Sequence, residues 1–424
     1  MGEFIMFYFY GILSTIAFFL ILPFWLVLGI FKPKLIAGFK EKCGFYKKTP
    51  FTIHHSPFTI LFYGVSVGEV IAMENLIKKT KETFPDLEII VMTGTQTGQE
   101  ITHKKLEETA DFITYFPFDF PFCVENMLKK FKPDAIFVME TELWPNFVKI
   151  TNKNKIPTYI INARISDRTY QSYKKLSFFF GPILKKYTAI YPQSKQDMEK
   201  LVSIGANSET TKIMGNLKFD IKKPDVSDLN FTKNPNHKII LAGSTHFGED
   251  EIILDVFSEL KREIPELKLI IAPRHPGDKY NFKCGLRSKG DDFNNNNVML
   301  LDTIGELGKF YSICDVAFIG GSFPVNGGDN NAKKGVGGHN PLEATIFNKP
   351  VFSGTSIHNF KDIYAILTTE NAAKVGNKEE LKEYFLKLLT DGNYYNKVSK
   401  NCEKVFEQNK GALSFVIDVL QSVV

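Results

Sequence analysis

Gly338-His339-Asn340-Pro341-Leu342-Glu343 is the stretch on which the fold turns. It follows Gly320-Gly321-Ser322, and the apolar run Val316–Ile319 precedes both. A glycine-rich turn after a strand lets the backbone approach a phosphate closely. Glu343 is expected one turn inside the helix that follows, where a carboxylate can accept hydrogen bonds from ribose hydroxyls. Glycine turn, helix start and acidic residue together are how an open α/β sheet holds a nucleotide. A second loop, Gly64-Val65-Ser66-Val67-Gly68-Glu69, lies far earlier in the chain, so the pattern predicts two α/β halves.

Working outward, apolar runs alternate with helical patterns. Strands are expected at 59–63, 88–92, 112–115, 135–139, 158–162 and 189–191, then at 238–242, 268–272, 298–301, 316–319 and 350–352. Apolar strands separated by helices mean parallel sheets covered on both faces. The polar stretch from Asp220 to His237, with Pro224 and Pro235, reads as a linker. Beyond Lys378 only helices are expected, and these could pack back across the first domain. The expected division is therefore a membrane anchor over 1–31, a first domain over 32–220, a linker over 221–237 and a second domain over 238–424.

The 424 residues leave room for both domains and an anchor. A net charge of +5 is too small to argue for a nucleic-acid partner. The five cysteines, Cys43, Cys123, Cys284, Cys314 and Cys402, show no metal spacing and no pairing pattern, and read as reduced thiols. Phe4 to Phe31 carries no charge over 28 positions. At about 1.5 Å per residue that exceeds the roughly 30 Å hydrocarbon core of a bilayer. Lys32, Lys34, Lys40, Lys42, Lys47 and Lys48 follow, which places the body on the cytoplasmic side. Only Glu3 is charged before the run, against a cleaved signal peptide. Pro23 and Gly29 leave open a helix lying in one leaflet.

Several loops carry candidate chemistry. Glu69 sits near a helix start, where the dipole favours a carboxylate; it reads equally as a base at a strand end or as a plain helix-start carboxylate. Thr93 to Gly98 reads as an N-capping turn with Thr97 as the cap, or as the lining of a sugar pocket. Glu140 and Glu142 follow an apolar strand in Met139-Glu140-Thr141-Glu142-Leu143-Trp144-Pro145-Asn146, which is unusual unless paired or functional. Arg164 and Arg168 suit a phosphate or an internal Arg–Asp pair. Lys218, in Gly215-Asn216-Leu217-Lys218-Phe219-Asp220, either faces the interdomain cleft or is solvated. In the second half Gly243-Ser244-Thr245-His246 and Pro273-Arg274-His275-Pro276 each end a strand, and Ile304-Gly305-Glu306 opens a helix whose amides can read a base edge. His246 and His275 are too scattered for a metal site, and no Asp-x-Asp strand end is present.

These stretches resemble the 3-deoxy-D-manno-octulosonic acid (Kdo) transferase family of lipopolysaccharide inner-core assembly. The matching motifs are VSVGE (65–69), METELWPN (139–146), NAR-S (162–166), GNLKFD (215–220), STH-GE (244–249), PRHP (273–276), GELGKFY (305–311) and GGHNPLEA (337–344), in family order. The resemblance implies a GT-B-like α/β fold, two Rossmann-like doubly wound domains facing a cleft, with an N-terminal membrane-anchoring helix. It implies an inverting, metal-independent glycosyltransferase that needs no cofactor and moves Kdo from CMP-Kdo to a lipid A precursor at the inner membrane. Carried over by motif, Glu69 is the implied proton acceptor, and Glu140 and Lys218 the transition-state stabilisers. CMP would be held by Pro273 and Arg274, by Ile304, Gly305 and Glu306, and by Asn340, Pro341, Leu342 and Glu343. The chain departs from the family at 323–336, a polar, glycine-rich insert read as a mobile surface loop. Two alternatives remain at this point: a GT-B transferase for another nucleotide sugar, or a non-catalytic membrane-tethered nucleotide-binding module.

Overall fold

The computed structural model describes residues 2–31, 36–46, 58–231, 233–275, 282–293, 296–324 and 335–424. Lys32, Lys34, Lys47 and Lys48 of the basic collar, Pro276, and the insert from 325 to 334 lie outside the described residues. The chain divides into two compact units: Met1–Asp220 with Asn409–Val424, and Ile221–Gln408.

The first unit is built on a parallel sheet of β1 (Thr59–Gly64), β2 (Glu88–Thr93), β3 (Phe112–Tyr115), β4 (Ala135–Met139), β5 (Thr158–Ala163) and β6 (Ala189–Pro192). Its strand order is β3-β2-β1-β4-β5-β6. Every residue of β1, β4, β5 and β6 is buried, as a sheet covered on both faces requires. Alternation sends Leu61, Tyr63, Ile136 and Val138 into one core and Ile60, Phe62, Phe137 and Met139 into the other. Each such side chain contributes about 1.5–3 kcal/mol by leaving water.

Both ends of the chain close these cores. The helix Ala412–Val423 buries Ala412, Val416 and Leu420 in the second core. Its start is held by the Asp220 carboxylate, which accepts from Gly411 N at 2.7 Å and Leu413 N at 2.6 Å. The expected second domain over 238–424 is thus corrected at its end, because the last helix finds its apolar partners on the first sheet. The N-terminal helix Gly2–Phe31 docks by one face. Phe7 is 2% exposed, Phe18 meets Phe120 at 4.5 Å, and a Cβ on Gly11 would lie 3.2 Å from Asn146 Oδ1. Tyr10 Oη donates to buried Asp119 at 3.2 Å, and Asp119 also accepts from Asn146 N and Phe147 N. The opposite face presents exposed Phe9, Leu13, Leu20 and Phe24.

The second unit carries β7 (Lys238–Thr245), β8 (Leu267–Pro273), β9 (Gly285–Leu286), β10 (Val298–Leu300), β11 (Val316–Ile319), β12 (Val351–Ser353) and β13 (Ala373–Val375). They form one parallel sheet ordered β13-β12-β11-β7-β8-β10-β9. The short edge strands β9 and β13 are too brief to show an apolar period. The stretch expected as a linker packs on this unit: Lys233 pairs with Asp315 at 2.7 Å, Lys309 with Asp228 at 2.6 Å, and Phe231 meets Phe310 at 5.4 Å. Its prolines break helix and strand but do not prevent docking through single side chains.

The same topology recurs in both sheets. The first strand of each unit lies between neighbours reached in opposite directions: β1 between β2 and β4, and β7 between β8 and β11. The loops at the carboxyl ends of those strands flank the switch point where such sheets bind ligands.

Candidate active site

At the first switch point the loop after β1 turns into the helix Val67–Thr83, with Ser66 as N-cap. Glu69, third in that helix, bends back on the loop. Its Oε2 accepts from Val65 N and its Oε1 from Ser66 Oγ, both at 2.8 Å. Its side chain is nearly buried, and that burial raises its carboxyl above the usual glutamate range. The Val65 amide opposes the shift and the charge of Glu140 adds to it.

The loop after β4 supplies two more carboxylates. Glu140 follows β4 directly and takes φ 56°, the left-handed region, at a cost of about 1–2 kcal/mol for a residue with a Cβ. It is held there by its own N–H on Ile161 O at 2.9 Å and by Arg164 Nε on its Oε2 at 3.1 Å. Arg164 thus pairs with Glu140. Glu142 is pushed up to about 7, first by burial and then by the charges of Glu69 and Glu140. Glu69 and Glu142 are thus each raised in part by the charge of a neighbouring carboxylate.

Lys218 is brought to the same face by an amide network. Asn162, at the end of β5 and also left-handed at φ 54°, accepts from Leu217 N at 3.1 Å through Oδ1. Gln193 Nε2 donates to Asn162 O, and Asn216 Nδ2 donates to Gln193 Oε1, both at 3.0 Å. Asn216 Oδ1 then accepts from Lys218 N at 3.0 Å. The turn Leu217–Phe219 so formed packs on the helix that carries Glu69. Strain at Glu140 and Asn162, both at strand ends, fits a site over-determined by its surroundings. In the neighbouring loop the cap is Thr95, accepting from Gly98 N at 3.1 Å, not Thr97.

The second switch point differs from expectation. The Gly320-Gly321-Ser322 amides were expected to face a phosphate. Instead, Gly321 N, Ser322 N and Phe323 N donate to Glu249 at 2.7, 2.9 and 2.9 Å, and His246 N donates to the same carboxylate at 2.9 Å. Glu249 is 0% exposed and ties the loops after β7 and β11 together. Nothing local marks it for this role, although it sits in the quoted STH-GE stretch. The loop's amides are already satisfied within the protein, so the candidate binding groups of this unit are others.

Those groups gather around the same strand ends. Pro273 ends β8, and Arg274, whose N–H donates to Thr245 O at 2.9 Å, follows it. The charge of Arg274 acts on Glu343, whose carboxyl burial raises. Glu343 is the second residue of a one-turn helix, Leu342–Thr345, rather than one turn inside a longer one. Pro341 caps that helix, and Asn340 Oδ1 accepts from Leu342 N at 3.1 Å. After β10, Ile304 is 90% exposed and Gly305 takes φ +89° with open space where a Cβ would be. The Glu306 carboxylate is held by Arg287 Nε at 3.2 Å and Nη2 at 2.9 Å and by Thr303 Oγ1. That pairing lowers its pKa and commits the Glu306 carboxylate to Arg287 and Thr303. His246 and His339, far apart in sequence, meet Nε2 to Nε2 at 2.8 Å. Among the described residues no group of three or more His, Cys, Asp or Glu side chains is arranged to hold a metal ion.

Two parallel-sheet units with polar loops at both switch points define the GT-B fold. The UDP-GlcNAc 2-epimerase of Neisseria meningitidis shares this fold at a TM-score of 0.50 and 16% identity, over 86% of this chain and 100% of that one. The family described as 3-deoxy-D-manno-octulosonic-acid transferase matches residues 37–221, and glycosyl transferases group 1 matches 250–405. A 3-deoxy-D-manno-octulosonic acid transferase of Haemophilus influenzae is 31% identical over 98% of both chains. The chain belongs to the Kdo transferase family. It is also 35% identical, over 81% of its length, to a bifunctional glycosyltransferase/methyltransferase of Fusobacterium nucleatum, and spans 54% of that longer protein.

Proposed function

We propose that the protein transfers Kdo from CMP-Kdo to a lipid A precursor, lipid IVA, with inversion at the anomeric carbon and without a metal ion. The observation that carries the reading is Glu69, a nearly buried carboxyl at the first switch point whose affinity for a proton is raised. A base works best when its pKa lies near the working pH. In this reading Glu69 takes the proton from an acceptor hydroxyl as that oxygen forms its bond to the anomeric carbon. The bond from that carbon to the phosphate oxygen breaks on the opposite side, and CMP leaves with the electron pair. Glu140 and Lys218 stabilise the charge that develops, which a monophosphate leaving group keeps small enough for cationic side chains and backbone amides to meet.

The donor is assigned to the second unit, where Arg274 and the turns at 304–306 and 340–343 surround the strand ends. The acceptor is assigned to the first. One described helix, over Met6–Phe24, is long and apolar enough to cross a membrane. Its exposed apolar face beside Lys40 and Lys42 supports an inner-membrane location with the body on the cytoplasmic side, where the acceptor's acyl chains stay in lipid. The test is mass spectrometry of lipid IVA after incubation with the protein and CMP-Kdo. The expected product is heavier by one or more Kdo residues. An unchanged acceptor with CMP-Kdo, alongside transfer from a different nucleotide sugar, would overturn the donor assignment.

A further inference from the structure

The histidine pair of the second unit has a geometry that a packing role does not require. His246 follows β7, and His339 lies in the loop after β11, 93 residues further on. Their Nε2 atoms are 2.8 Å apart, with ring centroids at 5.1 Å and ring planes within 6°. Atoms that close exclude face-to-face stacking, so the rings meet edge to edge along a hydrogen bond. Gly321 makes room for it: at φ +69° a Cβ there would lie 3.0 Å from His339 Nε2.

An imidazole–imidazole hydrogen bond restricts the tautomers. In the neutral pair one ring donates its Nε2–H, so its Nδ1 is a bare acceptor, while the other ring carries Nδ1–H. One added proton turns both Nδ1 atoms into donors without breaking the bond between the rings. The neutral pair is therefore ill suited to an anion, and the singly protonated pair is well suited to one.

The surroundings disfavour a charge on the pair. Burial lowers both histidines, His339 to about 4, and each ring is further disfavoured as a cation by Arg274 and His275. The charged and titratable groups at these strand ends include Arg274, His275, Glu343, Glu249, Tyr311 beside Gly243 and His358 beside Gly337. Of the two carboxylates, Glu343 faces Arg274, and Glu249 is occupied by four backbone amides. An anionic oxygen placed beside Arg274 offsets the positive potential that keeps the pair unprotonated.

We propose that His246 and His339 form a proton-linked anion clamp, in which binding an anionic oxygen of the donor, phosphate or sugar carboxylate, brings one proton onto the shared pair. This rests on the reading that the second unit binds the donor. The clamp makes donor affinity depend on pH and recognises a charge that a neutral nucleoside lacks.

The experiment is titration calorimetry of the full chain in buffers of different ionisation enthalpy at pH 7.5, with cytidine, CMP and CMP-Kdo as ligands. The expected result is uptake of about one proton per anionic ligand bound, no uptake with cytidine, and affinity falling up to about tenfold per pH unit above neutrality. Uptake with CMP assigns the phosphate as the trigger; uptake with CMP-Kdo alone assigns the sugar carboxylate. His339→Asn and His246→Asn should each abolish the uptake and flatten the pH dependence. Binding of CMP and CMP-Kdo without proton uptake in the unmodified protein overturns the proposal, independently of how the variants fold. Uptake that persists in both folded variants also overturns it, because Glu343 or the ligand would then be the site. Histidine-dependent uptake with another nucleoside phosphate but no binding of CMP would leave the clamp standing and remove the assigned donor.

Discussion

Glu69 and Glu249 occupy equivalent places in the two units. Each follows a glycine, as Val-Gly-Glu and Phe-Gly-Glu, and each opens the helix after the first strand of its sheet. Yet Glu69 accepts one amide and one hydroxyl from its own loop, whereas Glu249 accepts four amides from two loops. Burial raises both carboxyls, but one whose acceptor sites are filled has no lone pair open to a substrate proton. One with two bonds and two carboxylate neighbours keeps one open. The same residue at the same topological position is a candidate base in one sheet and a clasp in the other, and hydrogen-bond saturation makes the difference.

The sharpest way to break this contrast is Glu69→Gln. The amide keeps the shape and cannot take a proton, so the single-turnover transfer rate should fall about 10²- to 10⁴-fold. CMP affinity by calorimetry should stay within about twofold, since the variant removes only a proton acceptor. Near-normal transfer would disqualify Glu69 and move the role to Glu142.

Glu249→Ala should reverse the pattern. Four buried amides lose their acceptor, and each unpaired buried donor costs about 1–3 kcal/mol. Denaturant melts should show a loss of roughly 3 kcal/mol or more, with turnover per folded molecule largely kept at saturating donor. A stable protein with abolished chemistry would mean that the two glutamates do not divide as described.

Glu142 sharpens the comparison through pH. The acid limb of the transfer rate should lie above the ordinary glutamate pKa of about 4.3, because Glu69 is raised and must lose its proton to act. Glu140→Gln removes the negative neighbour that raises Glu69 and should shift that limb to lower pH, whereas Glu142, protonated up to about 7, is neutral there and Glu142→Gln should leave the limb in place. Stability responds to the raised Glu142 carboxyl in its own way. A carboxyl raised to about 7 holds its proton in the folded state after the unfolded chain has released it. Its contribution therefore declines as pH rises from the ordinary value towards 7. Glu142→Gln should lose that decline, as thermal melts across the window would show.

The smallest expected effect is at the docked helix. Tyr10→Phe removes the hydroxyl that Asp119 accepts and should cost about 1 kcal/mol in stability. Deleting 1–31 uncovers the Phe118 and Phe120 surface as well, so the truncated protein should lose membrane sedimentation and some stability together. No change in either would show that the helix neither docks nor anchors.

The positions of several candidate residues are legible in the sequence. Glu69 and Glu140 follow strands that apolar period and turn residues mark, Lys218 lies in the turn Leu217–Phe219 that no such period marks, and the glycine turns at 305 and 338 show where the backbone takes positive φ. Glu249 was quoted in a motif without a role, because what defines it is the set of donors reaching it from loops more than 70 residues away. Asn162, Gln193 and Asn216 were missed as a unit for the same reason: amide side chains are common, and only their mutual bonds single them out.

The sequence by itself determined the two doubly wound sheets, the apolar N-terminal helix and the loops that carry chemistry. Those follow from periods of two and 3.6, from turn residues and from uncharged length, all of which are local. Only the tertiary structure decided that the last helix belongs to the first unit and that the proline-rich stretch packs on the second. Only it decided that Arg164 serves Glu140, that Glu249 is saturated, and that His246 meets His339. Each of these depends on which distant donor reaches which acceptor. That is set by how strands order themselves in a sheet, and no local pattern encodes it.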